Sequence, residues 1–138
     1  MTRLIQSILH LNGWVAVLIG SFIVIDPASM LASYGLQSEL SAALLSELRA
    51  PGGLLIACGL AIVQSTFSAD NFQRGLTFSI MVYGSYGGVR VLGIFFDGIP
   101  ATGILMATAI EFVLCMVSII ALTTLQKRRR NLVPTLTS

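Results

Sequence analysis

The stretch ATGILMATAIEFVLCMVSIIALTTL, residues 101–125, is an apolar run of 25 residues that contains one charged side chain, Glu111. About 20 apolar residues cross the hydrocarbon core of a bilayer as an α-helix, so this run predicts a membrane span. The basic cluster Lys127–Arg130 follows within two residues. Such a cluster is typical of the end of a span, because positive side chains there reach the lipid head groups.

Three earlier stretches meet the same criterion, at residues 4–25, 51–67 and 75–96. The four stretches together hold 86 of the 138 residues, and only Arg90 and Glu111 among them are charged. At the frequency of soluble proteins, 86 residues would hold about 21 charges. None of the four has the polar face that a helix of a soluble bundle needs. The sequence therefore predicts an all-α, polytopic four-helix membrane bundle, one domain over residues 1–138, with a basic tail at 126–138.

Composition and motifs exclude several other classes of protein. With 55% hydrophobic residues the chain is too apolar to be disordered, and two cysteines cannot staple 138 residues. No metal-ligand cluster, nucleotide motif or Ser/His/Asp set is present, and no basic, aromatic-bearing soluble domain suggests nucleic-acid binding. The lone His10 cannot supply paired haem ligation, and it favours a packing role in the first span. The sequence thus identifies no cofactor, no metal site and no catalytic residue.

The basic residues predict the orientation of the bundle. Four spans place both termini on one side, where six Lys and Arg residues collect, while Arg49 is the one basic residue of the opposite connections. By the positive-inside rule, both termini are expected in the cytoplasm.

The first outer connection, residues 26–50, is too long for a structureless loop. Asp26 followed by Pro27 predicts the start of a short helix, and Gly35 its end. Leu40, Leu44 and Leu48 then recur on one face, which predicts an amphipathic helix at the interface that runs into the second span at Pro51.

Small residues at four-residue spacing predict faces on which helices approach closely. The second span carries Gly53, Ala57, Ala61 and Ser65 in this pattern. The other spans carry shorter examples: Ala16 and Gly20 in the first, Gly84 and Gly88 in the third, and Gly103 and Ala107 in the fourth. These faces would pack within one bundle or, alternatively, against a second copy of the chain.

The two charges inside the spans are the main functional cue, because a charge near the bilayer centre is costly and is usually paired. The short connection at 97–100 makes the third and fourth spans an antiparallel hairpin. At about 1.5 Å per residue, Arg90 and Glu111 then differ in depth by roughly 6 Å, which an arginine side chain can bridge. Tyr86 is expected level with Glu111, where its phenol could bond the carboxylate, and Asp97 lies two turns from Arg90 on the same face.

Glu47 and Arg49 join this predicted cluster from the entrance of the second span. Two interpretations stay open for the set. It is a structural ion-pair cluster that locks helices together, or it lines an outward-open pocket for a polar or amphipathic ligand or for a proton. The predicted site residues are Glu47, Arg49, Tyr86, Arg90, Asp97 and Glu111.

These residues also carry a family resemblance. The chain resembles a bacterial family of small four-helix inner-membrane proteins of unknown function in the run Glu47–Gly53 (ELRAPGG), then Arg74–Leu76 (RGL), then Arg90, the turn Asp97–Pro100 (DGIP) and Glu111. That family is broadly similar to the DoxX-like membrane proteins. The resemblance implies four helices and a bacterial inner-membrane location, and it implies no reaction.

The functional hypothesis is a binding or accessory subunit of a membrane assembly, with a buried polar cluster in its outer half. The alternative is a membrane-embedded enzyme or proton-coupled carrier that uses Glu111 and Arg90. Expected partners are the lipid bilayer, other membrane subunits or a homo-oligomer, and a lipid or quinone-like ligand.

Overall fold

The computed structural model describes residues 2–35 and 41–132. This part of the chain folds into helices and turns without a strand. Its α-helices are α1 (Thr2–Ile25), α2 (Pro27–Ser33), α3 (Ala42–Gln64), α4 (Phe72–Asp97) and α5 (Thr102–Leu132), with 3₁₀ turns at Ser65–Phe67 and Ala69–Asn71. The four long helices are each long and apolar enough to cross a membrane. The predicted all-α fold with four apolar spans is confirmed, and the chain is a multi-pass membrane protein.

The short helix α2 forms where the sequence predicts it. The Asp26 carboxylate accepts a hydrogen bond from the Ser29 amide at 3.0 Å, which caps the helix, and Pro27 occupies the first turn. Hydrogen bonding from the side chain and the backbone amide of Ser29 lowers the pKa of Asp26. Gly35 follows the helix with φ of 77°, a left-handed conformation that glycine adopts without strain.

Helix α3 joins the interfacial helix and the second span into one element. It starts at Ala42, where the Ser41 hydroxyl accepts a hydrogen bond from the Leu44 amide at 3.2 Å, and it continues through Pro51. This continuity agrees with the prediction that the amphipathic helix runs into the second span at Pro51. Leu40 of the predicted apolar stripe lies outside the described residues.

Helix α5 is longer than the predicted fourth span. Its 31 residues extend about 46 Å, against the roughly 30 Å of a hydrocarbon core. Lys127–Arg130 therefore lie on exposed final turns of a helix, and the predicted tail from residue 126 begins as helix. Residues 133–138 lie outside the described residues.

The closest helix packing is between α1 and α3, which run antiparallel. A Cβ atom on Gly59 would lie 2.6 Å from the Gly13 carbonyl oxygen, and one on Gly20 would lie 2.6 Å from the Gly52 carbonyl oxygen. The contacts repeat every seven residues. Gly20 belongs to the predicted four-residue pattern and packs here, whereas Gly13, Gly52 and Gly59 lie outside that pattern. Gly84 of the pattern also packs, because a Cβ atom on it would lie 3.4 Å from Cys115 Sγ. Gly53 and Gly88 of that pattern face open space within the described chain.

The core has two apolar clusters, one toward each end of the bundle. We call the end with α2 and the turn at 98–101 the α2 end, and the opposite one the terminal end. The cluster toward the α2 end contains Ala16, Ile23, Leu55, Val82, Tyr83, Leu114 and Cys115; the cluster toward the terminal end contains Ile5, Leu9, Ile62, Phe72, Leu76 and Ala121.

Candidate ligand-binding cavity

Arg90 and Glu111 meet in the structure. The Arg90 Nε atom lies 3.4 Å from Glu111 Oε1, and the two side chains are 23% and 12% exposed. The short turn between α4 and α5 sets this register, because it brings the third turn of α5 alongside the end of α4. We refer to the two residues as the Arg90–Glu111 pair.

The second carboxylate oxygen of Glu111 has no partner. Glu111 Oε2 is buried, and no hydrogen-bond donor reaches it within the described part of the chain. Tyr86 is half-buried nearby, but the expected hydrogen bond from its phenol to Glu111 is not formed there. A buried carboxylate oxygen without a donor is costly, so the pair is incompletely satisfied by the protein itself.

The other predicted members of the cluster lie apart from the pair. Glu47 and Asp97 are exposed, and in residues 41–132 no hydrogen bond or ion pair links them to Arg90 or Glu111. Arg49 is also exposed, and its Nε donates to the Val24 carbonyl oxygen at 3.1 Å. That carbonyl belongs to the last turn of α1, where it has no partner within the helix, so Arg49 ties α3 to the end of α1.

The Arg90–Glu111 pair forms one wall of a cavity at the α2 end. The cavity has a volume of about 550 Å³ and is bounded by side chains from all five helices. Its wall is almost entirely apolar. Tyr83, Tyr86, Arg90 and Glu111 lie on the α4–α5 side, and Ser33 and Tyr34 line the cavity at the end of α2. A mostly apolar cavity of this size with a few convergent polar groups is the usual form of a small-molecule site.

Sequence reasoning missed the α1 and α2 side of this cavity. Phe22 of α1 and Pro27, Met30 and Leu31 of α2 contribute to the wall. From α3, the neighbours Leu48 and Pro51 line the cavity where Glu47 and Arg49 were expected. The Leu40–Leu44–Leu48 stripe was the available signal, because it predicts which face of the helix is apolar.

A second buried polar group, the Asn12 cluster, joins α1, α4 and α5. It consists of Asn12, Ser79 and Ser118, each fully buried. The Asn12 side-chain amide donates to Ser79 Oγ at 2.5 Å and to Ser118 Oγ at 2.8 Å, and Ser118 Oγ donates to Ser79 Oγ at 3.1 Å. The Tyr83 phenol donates to the Asn12 backbone carbonyl, which connects the cluster to the cavity wall.

This cluster was not predicted from the sequence. A signal was present, because Asn12 is one of the few polar side chains within the first apolar run, and such side chains find hydrogen-bond partners on neighbouring helices. Which helices supply the partners depends on how each helix is rotated about its axis, and the sequence pattern does not fix that rotation.

Neither region offers a ligand set for a metal ion. Across residues 2–35 and 41–132, no group of three His, Cys, Asp or Glu side chains is placed to hold one. The chemistry that the cavity offers is instead the burial of an apolar molecule beside an arginine, a carboxylate and three phenols.

Comparison with known proteins identifies the family. The family model described as a domain of unknown function (DUF4345) matches residues 4–122, which include both members of the Arg90–Glu111 pair. The chain belongs to this DUF4345 family. No curated protein and no solved structure matches it. Membership in a family of unknown function agrees with the resemblance in the sequence, and it assigns neither a reaction nor a ligand.

Proposed function

We propose that this DUF4345 protein is a binding or accessory subunit of a membrane assembly and holds an amphipathic ligand in the cavity at its α2 end. The observation that supports this most strongly is the cavity itself, with a volume of about 550 Å³ and a polar pair on one wall. That volume lies within the range of roughly 300–1,000 Å³ that is usual for small-molecule sites.

The wall chemistry favours a lipid- or quinone-like ligand. The α1 and α2 walls, with Leu18, Phe22 and Met30, would pack against an apolar body. Arg90 and Tyr86 on the opposite wall supply hydrogen-bond donors for a polar head group. A fully polar ligand would lose its hydration along most of this wall without compensation, which argues against sugars and free nucleotides.

We place the protein in the bacterial inner membrane with both termini in the cytoplasm. The supporting observation is the excess of basic residues in the terminal segments and the 68–74 connection over the outer connections. A reporter fused after residue 138 should be active in the cytoplasm only, and periplasmic activity would contradict this orientation.

We also propose a broad relationship to DoxX-like membrane proteins, supported by the spacing of the polar positions from Glu47 to Glu111. Because those relatives are linked to membrane redox partners, quinones are the first ligands to test. This is an analogy at the level of the fold, and the site chemistry has to be tested on its own.

A second candidate function is a membrane-embedded enzyme or proton-coupled carrier that acts through Glu111 and Arg90. The unpartnered Glu111 Oε2 favours it, because a carboxylate oxygen that no donor satisfies is a position where a proton can bind. In proteoliposomes, wild type would then carry protons under an imposed gradient and Glu111→Gln would not. Equal proton flux in both would remove this candidate.

The cavity hypothesis is tested by filling the cavity. Ala107 lines it, whereas Ala109 on the same helix is exposed and does not. Ala107→Phe adds a ring to the cavity, and Ala109→Phe adds the same ring outside it. Each protein would be purified from membranes in mild detergent, and bound small molecules would be extracted and identified by mass spectrometry.

Wild type and Ala109→Phe should carry an amphipathic molecule near one per chain, and Ala107→Phe should lose it. If no protein carries one, or if both variants lose it equally, the proposed site is wrong. Native mass spectrometry of the same samples separates the roles, because a stoichiometric partner chain supports the subunit and a lone chain with ligand supports the second candidate.

A further inference from the structure

A second recess lies at the terminal end of the bundle, opposite the cavity. It is a groove of about 440 Å³ between the start of α4 and the end of α5. Its lining includes Arg74 of α4 and Arg129 of α5 near the terminal end, and Phe78 and Met81 farther along α4 toward the membrane core.

The two arginines give the terminal end of this groove a positive character. Both are exposed, and within the described residues no carboxylate pairs with either guanidinium. Gln73 and Thr77 add polar side chains, and Asp70 is the acidic member of the lining, so the cationic groups outnumber the anionic one. Guanidinium groups bind phosphate oxygens through paired hydrogen bonds, so two arginines that line one groove are suited to bind a phosphate group.

The apolar residues continue the groove in the direction of the membrane core. Phe78 is one helical turn from Arg74 and Met81 is two turns from it, or about 6 and 10 Å along α4. Their side chains are 48% and 64% exposed. A molecule with its phosphate at the arginines would therefore place an attached apolar chain against these two side chains.

We propose that this groove binds an anionic phospholipid, with the phosphate between Arg74 and Arg129 and an acyl chain on Phe78 and Met81. The positive charge and the exposed apolar residues farther along α4 together favour a lipid over free phosphate, because free phosphate has no apolar part to contact Phe78 and Met81. The site differs from general attraction of the basic helix end to a charged membrane, because it uses only one of the four basic residues of the Lys127–Arg130 cluster.

Native mass spectrometry tests this groove. The full chain would be exchanged into neutral detergent with an equimolar mixture of phosphatidylglycerol and phosphatidylcholine that have identical acyl chains. Wild type should retain phosphatidylglycerol, and the double variant Arg74→Gln/Arg129→Gln should retain about tenfold less of it, as expected for the loss of charge-assisted hydrogen bonds. Far-UV circular dichroism and size-exclusion elution would check that every variant is folded.

The matched control is Arg3→Gln/Arg130→Gln, which removes two exposed charges from the same end but none from the groove. It should retain phosphatidylglycerol as wild type does. Glycerophosphoglycerol, the head group without acyl chains, should not be retained. Equal loss in both double variants, equal retention of the two lipids by wild type, or retention of the bare head group would each overturn the proposal.

Discussion

The Asn12 cluster and the Arg90–Glu111 pair are two ways of burying polar side chains in one membrane bundle. The Asn12 cluster uses three short side chains on three helices, all fully buried and linked by three hydrogen bonds. The Arg90–Glu111 pair uses two long, charged side chains with one contact of 3.4 Å, at the wall of a cavity. The hydrogen bonds of the Asn12 cluster hold three helices in one arrangement. The charged groups of the Arg90–Glu111 pair lie beside a cavity, where a ligand can contact them.

The orphaned oxygens of the two regions sharpen this difference. Asn12 Oδ1 and Glu111 Oε2 are both buried without a partner in the described chain. The Asn12 amide already donates two hydrogen bonds to the serines, so its site is largely satisfied by the fold. The Glu111 carboxylate contacts only Arg90 among the described residues. Its second oxygen can gain a hydrogen bond only if side chains rearrange, a proton binds or a ligand donates one.

The largest expected effect comes from exchanging amide for carboxylate in the Asn12 cluster. Asn12→Asp places a negative charge in a fully buried site where, among the described residues, no basic side chain bonds to residue 12. The expected cost is about 5 kcal/mol of stability at pH 7. The stability should recover as pH falls, because a protonated carboxyl is neutral and can donate to a serine. Thermal unfolding in detergent between pH 4.5 and 8 measures this.

The reverse exchange is the control for that experiment. Glu111→Gln removes a charge that is only partly satisfied, so the melting temperature should change little. If both exchanges destabilise the protein equally, the two polar regions have the same structural role and the comparison fails.

The second-largest loss of stability is expected from removing one partner of the Arg90–Glu111 pair. Arg90→Met leaves the Glu111 carboxylate without its cation, at a cost of about 3 kcal/mol. This is the lower end of the usual range, because the Arg90 side chain is 23% exposed. A titration of folded protein with a denaturing detergent would measure the loss. An unchanged midpoint would show that the pair is screened by solvent.

A smaller difference in stability is expected between alanine substitutions of two serines on α4, Ser79 and Ser85. Ser79→Ala removes an acceptor of the Asn12 amide and should cost about 1 kcal/mol. Ser85→Ala removes an exposed hydroxyl that bonds only within α4, at Val82, and should change stability by less than about 0.5 kcal/mol. Equal effects in the same detergent titration would mean that the Asn12 cluster does not hold the helices together.

The smallest expected effect on stability comes from the Asp26 cap of α2, the short helix that lines the cavity. The folded pKa of Asp26 is depressed, so its cap contributes stability above its unfolded pKa, and this is lost as pH falls through the folded pKa. The amide resonance of Ser29 should therefore titrate with a midpoint below the roughly 3.9 of an unperturbed aspartate. A midpoint at or above that value would contradict the cap.

The sequence allowed prediction of the features that depend on distance along the chain. The number of spans follows from the lengths of the apolar runs, and the bounds of α2 follow from Asp26, Pro27 and Gly35. The Arg90–Glu111 contact follows from the short turn between α4 and α5 and the constant rise per residue of a helix. It could not supply the rotation of each helix about its axis. That rotation decides why Leu48 faces the cavity while Glu47 and Arg49 do not, and why Gly52 packs while Gly53 is open.

The central claim is that the Arg90–Glu111 pair serves a ligand in the cavity and is not needed to hold the bundle together. The most direct measurement is the ligand content of Arg90→Met/Glu111→Met, because replacing both members of a buried ion pair with apolar residues of similar size is often neutral for stability. We predict a folded protein with a melting temperature near that of wild type and without the amphipathic molecule that wild type carries. A folded double variant that retains this molecule at the wild-type stoichiometry would contradict the claim.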